Sequence, residues 1–471
     1  MNLKLTRGFF GNQAYYAIGV RKEKVTTMES RIPKRILNSL INALAAGVVP
    51  RTGAPYIAIG RIEETESLLS DLDNISDGGS SLRFLIGRYG SGKSFLLQLI
   101  RGYALEKGFV TADADLSPER RLCGSNGSGA ATYRELINNL SIKTSADGGA
   151  LTPLISRWLS GKQSALASTG LEIGSESFLN AMRREIYSVT EELEDKVGGF
   201  DFATVIHKFY LAFINDDENL RSACLRWLRG EYTSRSEARR DLGAQNIIND
   251  ENWYDYLKLI ACFVRKIGYL GFVVFIDECV NLYKITNRVS REKNYEKILS
   301  IFNDTLQGKA PGLGFIFVGT PQFLEDTRRG LYSYEALRSR LDDGGLLGAG
   351  NYRNLSGPVI RLIRLTDSEL YALITRINTL YSECYSYKIP LTPEQMQAFL
   401  TVCLDKAGAD IKITPREIIR SYISLLNILR QNPEADFDNV IGDVGSTLKA
   451  AGTDSAETEG NSADALNDFE L

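Results

Sequence analysis

The stretch Gly87-Arg88-Tyr89-Gly90-Ser91-Gly92-Lys93-Ser94 fits the pattern GxxxxGK[ST]. Its flanks give the match its meaning. Leu82 to Ile86 before it is a short apolar run of strand length, and Ser94 to Leu105 after it repeats apolar residues at helical spacing. Between a strand and a helix, such glycines let backbone N–H groups turn inward onto phosphate oxygens, and the helix N-terminus adds its partial positive charge. Lys93 is then placed for the β- and γ-phosphates, and the Ser94 hydroxyl for a Mg²⁺ ion. ATP with Mg²⁺ is the expected cofactor pair; the plainer alternative is a glycine-rich turn that holds no nucleotide.

A triphosphate cradle needs an acidic partner at the end of a neighbouring strand. The run Phe272-Val273-Val274-Phe275-Ile276 leads into Asp277 and Glu278. Asp277 is expected on the metal side, and Glu278 is placed to polarise an attacking water. The alternative is that the two acids merely open a loop or helix. The presence of both favours hydrolysis over simple retention of the nucleotide. A further apolar run, Phe315 to Val318, ends in Gly319 and Thr320, whose hydroxyl can orient the water or touch the γ-phosphate.

Three arginines complete the candidate set. Arg340, with Arg338 as second candidate, lies in Glu335 to Leu341. An arginine reaching a neighbouring subunit's γ-phosphate would offset charge growing in the transition state, whereas an ordinary surface arginine would do nothing of the kind. Arg416, in Thr414-Pro415-Arg416-Glu417, opens a helix and can lean over the nucleotide or simply face solvent.

Outward from these motifs the chain divides into an N-terminal arm (1–30), a core in two parts (31–122 and 267–365), a helical insertion (123–266), a helical lid (366–435) and an acidic, disordered tail (436–471). Ile32 to Leu44 and the segment after Gly60 predict helices, and Phe109 to Ala114 a strand. The Cys123 to Gly129 stretch reads as a loop, and Asn294 to Leu306 as a helix between two strands. Strands alternating with helices at these lengths imply a parallel sheet, with Val359 to Leu365 as its fifth strand. Lid helices are predicted over Asp367–Tyr381, Pro393–Ala407 and Pro415–Arg430, each with a capping hydroxyl or a first-turn proline. The last twenty residues carry six acids and no base.

Bulk properties mainly exclude. A net charge of −3 gives no overall field toward nucleic acid or an anionic membrane. The basic cluster Arg235, Arg239, Arg240 is interleaved with Glu231, Glu237 and Asp241, so it reads as a solvated helix face before a phosphate-backbone contact. Six scattered cysteines without a CxxC pair fit reduced thiols, and the single His207 sits in a helical apolar pattern. No run of about 18 apolar residues and no signal-peptide pattern is present, so a cytoplasmic location without membrane contact is expected.

The order of these parts resembles that of an AAA+ module. Gly60 and Arg61 come first, followed by a Walker A loop (Gly87 to Ser94, with Phe95) and a Walker B pair (Asp277, Glu278). Sensor 1 falls at Thr320, where asparagine is common, the arginine finger at Arg340 and sensor 2 at Arg416. The resemblance implies an α/β AAA+ P-loop NTPase with a parallel sheet, a large helical insertion and a C-terminal helical lid, assembling as a homo-oligomer. More narrowly, Tyr56 to Arg61, Gly87 to Phe95, Asp277 to Tyr283 and Arg329 to Arg338 are similar to the BrxD-like ATP-binding proteins of bacterial BREX-type phage-defence loci. That likeness, spanning about Ile32 to Arg430, implies the ATPase of an anti-phage operon. In such loci it stands beside a superfamily 2 helicase and, in some of them, as in the Shango system, a TerB-like protein, with DNA as a possible substrate. Two rival roles are a nucleotide-gated loader or switch, and a scaffold with residual nucleotide binding.

Overall fold

The computed structural model describes residues 32–124, 127–194, 198–342, 353–387, 391–405 and 413–441. The N-terminal arm and the last twenty residues lie outside them. Helices α1 (Lys34–Ala45) and α2 (Ile62–Ser76) precede strand β1 (Ser81–Ile86), the phosphate loop, α3 (Lys93–Lys107) and β2 (Val110–Asp115). The insertion then supplies α4 (Ser128–Asn138), α5 (Leu151–Ala167), α6 (Glu176–Glu194), α7 (Gly199–Ile214), α8 (Glu218–Leu228), α9 (Arg235–Leu242) and α10 (Trp253–Lys266). Next come β3 (Phe272–Asp277), α11 (Val280–Tyr283), α12 (Arg288–Leu306), β4 (Leu313–Gly319), α13 (Pro321–Glu325), α14 (Glu335–Leu341) and β5 (Val359–Arg361). The lid is built from α15 (Asp367–Tyr385), α16 (Pro393–Asp405) and α17 (Pro415–Gln431).

Among the described residues all strand pairs are parallel, in the order β2-β3-β4-β1-β5. Alternate residues of each central strand enter different cores, as a sheet covered on both faces requires. Phe84, Val274 and Phe317 face the helices of the insertion and α12, while Leu85, Val273 and Val318 face α2 and α3. This doubly covered parallel sheet brings the ends of β1, β3 and β4 to one rim, the C-terminal edge where such folds hold ligands.

The structure moves several boundaries. Strand β5 stops at Arg361 instead of Leu365, because its partner β1 ends at Ile86 and leaves no further ladder; Ile363 is exposed. Helix α12 begins at Arg288, earlier than Asn294, with Asn287 Oδ1 accepting from Ser290 N at 2.9 Å. Helix α4 begins at Ser128, inside the expected loop, because Asp250 accepts hydrogen bonds from Gly127 N and Ala130 N. Helix α1, grouped by sequence with the nucleotide-binding core, buries Leu37, Leu40, Ile41 and Leu44 among the helices of the lid. The expected tail loses its first residues, since 437–441 are helical and Phe437 and Ile441 are buried in that same lid core.

His207 packs its ring 5.7 Å from that of Tyr187, and burial lowers its affinity for a proton, in keeping with a structural role. Two of the three acids beside the basic cluster are engaged with arginines: Arg226 pairs with Glu237 at 3.1 Å and Arg240 with Asp241 at 2.9 Å. Among the described residues no helix is long and apolar enough to cross a membrane.

Candidate functional site

The phosphate loop leaves β1 at Gly87, whose amide donates to the Gly319 carbonyl at the end of β4 (3.1 Å), so the loop is moored to the strand that carries Thr320. Gly90 and Gly92 then take φ of +70° and +91°, the left-handed backbone that glycine alone adopts without penalty. Gly92 is the N-cap of α3, which makes Lys93 its first residue. Lys93 Nζ donates to the Arg88 carbonyl at 2.8 Å, across the mouth of the loop. Ser94 Oγ donates to Asp277 Oδ2 at 3.0 Å, although 183 positions separate the two in sequence. Strand β4 lies between β1 and β3, so loop and acid meet across it at the rim of the sheet.

Glu278 follows with φ of +55°, left-handed for a residue that is not glycine, and its amide donates to Asp277 Oδ1 at 2.7 Å. Strained backbone of this kind persists only where the surroundings enforce it, and it concentrates at functional sites. Burial pushes the Asp277 carboxyl above its ordinary range, opposed by the bonds from Glu278 N and Ser94 Oγ. Burial lowers the proton affinity of Lys93; Arg416 pushes the same way, and Asp277 and Glu278 oppose it.

These groups line one cavity of about 880 Å³. Lys93, Ser94, Asp277, Glu278 and Thr320 stand at its polar end, and Val48, Ile57, Ile59, Leu373 and Ile419 form an apolar end between α1 and the lid. A positive group, loop amides and a hydroxyl–carboxylate pair at one end, with apolar walls at the other, suit a triphosphate joined to a base. The chemistry of the donors therefore fits ATP.

The remaining sequence candidates divide. Thr320 lines the cavity, yet its Oγ1 also caps α13, accepting from Phe323 N at 3.4 Å. Tyr89, Gly90, Ser91 and Phe95 line the cavity too, Phe95 packing half-buried against the lid. Gly60 and Gly87 do not reach it: a Cβ on Gly60 would stand 2.6 Å from Leu365 Cδ2, and one on Gly87 would stand 2.5 Å from Ser91 Oγ, so both are sites of close packing. The Arg88 side chain is exposed and contributes through its carbonyl. Arg338 and Arg340 lie on exposed α14 outside this cavity, Arg340 donating to the Ala336 carbonyl and Arg338 lying 3.9 Å from Asp342. Arg416 reaches the cavity and donates to Tyr89 Oη at 3.0 Å. Tyr283, which closes the Asp277 to Tyr283 stretch, lines the cavity, as do Lys284 and Gln322, which the sequence motifs do not single out; both follow an identified strand end, and proximity to that end is the available signal.

Arg61 lines the cavity as well and also braces the phosphate loop. Its guanidinium is 6% exposed, donates to the Ser91 carbonyl at 3.0 Å, and pairs at 3.2 Å with Glu64, itself 2% exposed and also bonded to Arg353 at 2.8 Å. A largely buried cation on the cavity wall thus holds the phosphate loop. Arg61→Ala is expected to lower stability by about 2–3 kcal/mol, less than the ~3–5 kcal/mol of an orphaned buried charge because Arg353 still serves Glu64. Nucleotide affinity should fall with it by about tenfold as the loop loosens. Urea unfolding and ATP titration of the variant check both.

A phosphate loop on β1, acids at the end of β3 and a helical lid closing over them define a nucleotide-binding protein of the α/β P-loop ATPase fold. The chain belongs to the family of the BREX system ATP-binding protein BrxC/D, whose family model matches residues 32–444. That membership makes it an ATP-binding protein of BREX phage defence. A search of curated proteins finds no match.

Proposed function

We propose that the chain hydrolyses ATP with Mg²⁺ and uses the cycle to change its grip on a partner in phage defence. The observation that carries this reading is the 3.0 Å contact of Ser94 Oγ with Asp277 Oδ2, with Glu278 next in the chain on the same cavity. Ser94 and Asp277 would hold Mg²⁺, whose other ligands come from phosphate and water, as is usual for this ion. The bound ion would offset negative charge on the phosphates. Glu278, one residue past the metal side and on a backbone turned toward the cavity, would accept a proton from the attacking water. Lys93 would hold the β- and γ-phosphates, and Thr320 would orient the water. Arg416 would contact the terminal phosphate from the lid.

A homo-oligomer accounts for the placement of Arg340 and Arg338 outside their own cavity, since an exposed helix can offer an arginine to a neighbouring subunit. The partners we propose are a superfamily 2 helicase and a TerB-like protein, with DNA as the substrate they share. The decisive measurement is phosphate release by the purified chain, which should require Mg²⁺ and rise with protein concentration or DNA; no release under any of these conditions would overturn the reading.

The arginine contribution has its own test. Arg340→Ala and Lys93→Ala are each expected to be inactive alone, yet to regain activity on mixing, because the first keeps an intact loop and the second supplies the arginine. Absence of recovery would place the finger elsewhere, with Arg338 the next variant to mix. A second reading, a nucleotide-gated loader or switch with slow turnover, is favoured by the capping duty of Thr320, which leaves its hydroxyl less free to hold water. Fast turnover by the chain without partners would count against that one.

A further inference from the structure

Side chains join the phosphate loop to the lid at one exposed contact. Tyr89, the third residue of the loop, is 71% exposed, and its hydroxyl accepts a hydrogen bond from Arg416 Nη1 at 3.0 Å while Arg416 Cζ lies 5.3 Å from the ring centroid. Next to it, a Cβ on Gly90 would stand 2.6 Å from Thr414 Cγ2, so the start of α17 abuts the loop itself. Thr414 is fixed in turn by a capping box with Glu417. Among the described residues no carboxylate pairs with Arg416. Its guanidinium is therefore positioned by the ring and hydroxyl of Tyr89, which leaves its other N–H donors for another ligand.

The place of the contact gives it a direction. Lys93 Nζ rests on the carbonyl of Arg88, the residue beside Tyr89, so the Arg88–Tyr89 edge is the one a terminal phosphate approaches. We infer that Tyr89 is a positioning residue: by stacking on and hydrogen-bonding Arg416 at this edge, it presents the guanidinium to the γ-phosphate and makes the site prefer a triphosphate over a diphosphate. A loop residue thereby sets the register of a lid residue, and closure of the lid depends on which nucleotide is present. This inference rests on the phosphate contact proposed for Arg416, but not on hydrolysis.

The test uses the full chain and equilibrium binding of two probes, ATPγS and ADP, to the wild type, Tyr89→Ala, Tyr89→Phe, Arg416→Ala and the Tyr89→Ala, Arg416→Ala double variant. Tyr89→Ala should weaken ATPγS binding by about tenfold while leaving ADP within about twofold, and Tyr89→Phe, which keeps the stack and loses the hydroxyl, should fall between. The double variant should match Arg416→Ala alone, since the tyrosine acts through the arginine. Equal losses for both nucleotides, or losses that add in the double variant, would overturn the inference by making Tyr89 a mere shaper of the loop. If Tyr89→Ala does not fold, Tyr89→Phe combined with Arg416→Ala carries the same comparison. A wild type that prefers ATPγS but releases no phosphate would sink the hydrolysis reading and leave this one standing.

Discussion

Glu278→Gln is expected to keep ATP affinity within about twofold and to lower phosphate release by about 10²–10⁴-fold, the usual contribution of a positioned base. The substitution keeps the shape of the side chain and removes its charge and its ability to take a proton. Binding should survive because the cavity's other polar groups are untouched: Lys93 at the loop mouth, and Asp277 with Ser94 at 3.0 Å. The two neighbouring acids are separable for a structural reason. Asp277 ends the strand and accepts from Ser94 and from the Glu278 amide, whereas the left-handed turn at Glu278 swings the second carboxylate off the strand axis and leaves it exposed. Asp277→Asn should accordingly weaken ATP binding by removing the gain in affinity that Mg²⁺ supplies, a different signature from that of Glu278→Gln. Isothermal titration of Mg²⁺·ATP and a phosphate-release assay on both variants distinguish them. A matching loss of affinity in the two would mean that neither acid has the role assigned to it.

Much of this site is legible in the sequence because its parts obey local rules. The loop is a glycine pattern bounded by a β-run and a helix, and Asp277 ends an apolar strand; both signals lie within about ten residues and need no tertiary information. The features that sequence does not reveal depend on distant partners. Helix α4 is hidden because its N-terminal amides are capped by Asp250, more than a hundred residues on. The first turns of α12 are hidden because they carry Arg288, Arg291, Glu292 and Lys293, a polar stretch in which Arg291 and Asn294 are nevertheless buried. Asn294 accepts from the amides of Leu122 and Cys123, a use of burial that apolar periodicity cannot register. The place of Arg61 ahead of the loop points to the nucleotide, and the structure does set it on the cavity; its added bonds to Ser91's carbonyl and to Glu64 are what sequence does not show. Likewise α1 has a clear amphipathic pattern, but a pattern says which face is buried and not which core receives it.

Lys93→Ala is expected to weaken ATP binding by about 10²–10³-fold while leaving the melting temperature unchanged or slightly higher. The first part follows from removing the ammonium group placed at the phosphates, where a charge-assisted bond in a partly dry site is strong. The second follows from how that ammonium is held in the folded chain. Burial disfavours its charge, Arg416 adds like-charge repulsion, and its hydrogen-bond partner is the Arg88 carbonyl. Asp277 and Glu278 offset this without abolishing it, so the net effect is a depressed proton affinity, which means that folding gains nothing from the charge. Glu278 has the same character in its backbone: a left-handed residue costs about 1–3 kcal/mol, and glycine there would relieve it. Stability withheld at Lys93 and Glu278 should return when either is replaced, with function lost in exchange. Thermal melts of Lys93→Ala and Glu278→Gly without nucleotide, set beside ATP titrations, test this directly. A marked fall in melting temperature for Lys93→Ala would show that the lysine supports the fold, and its place in the cavity would then need another explanation.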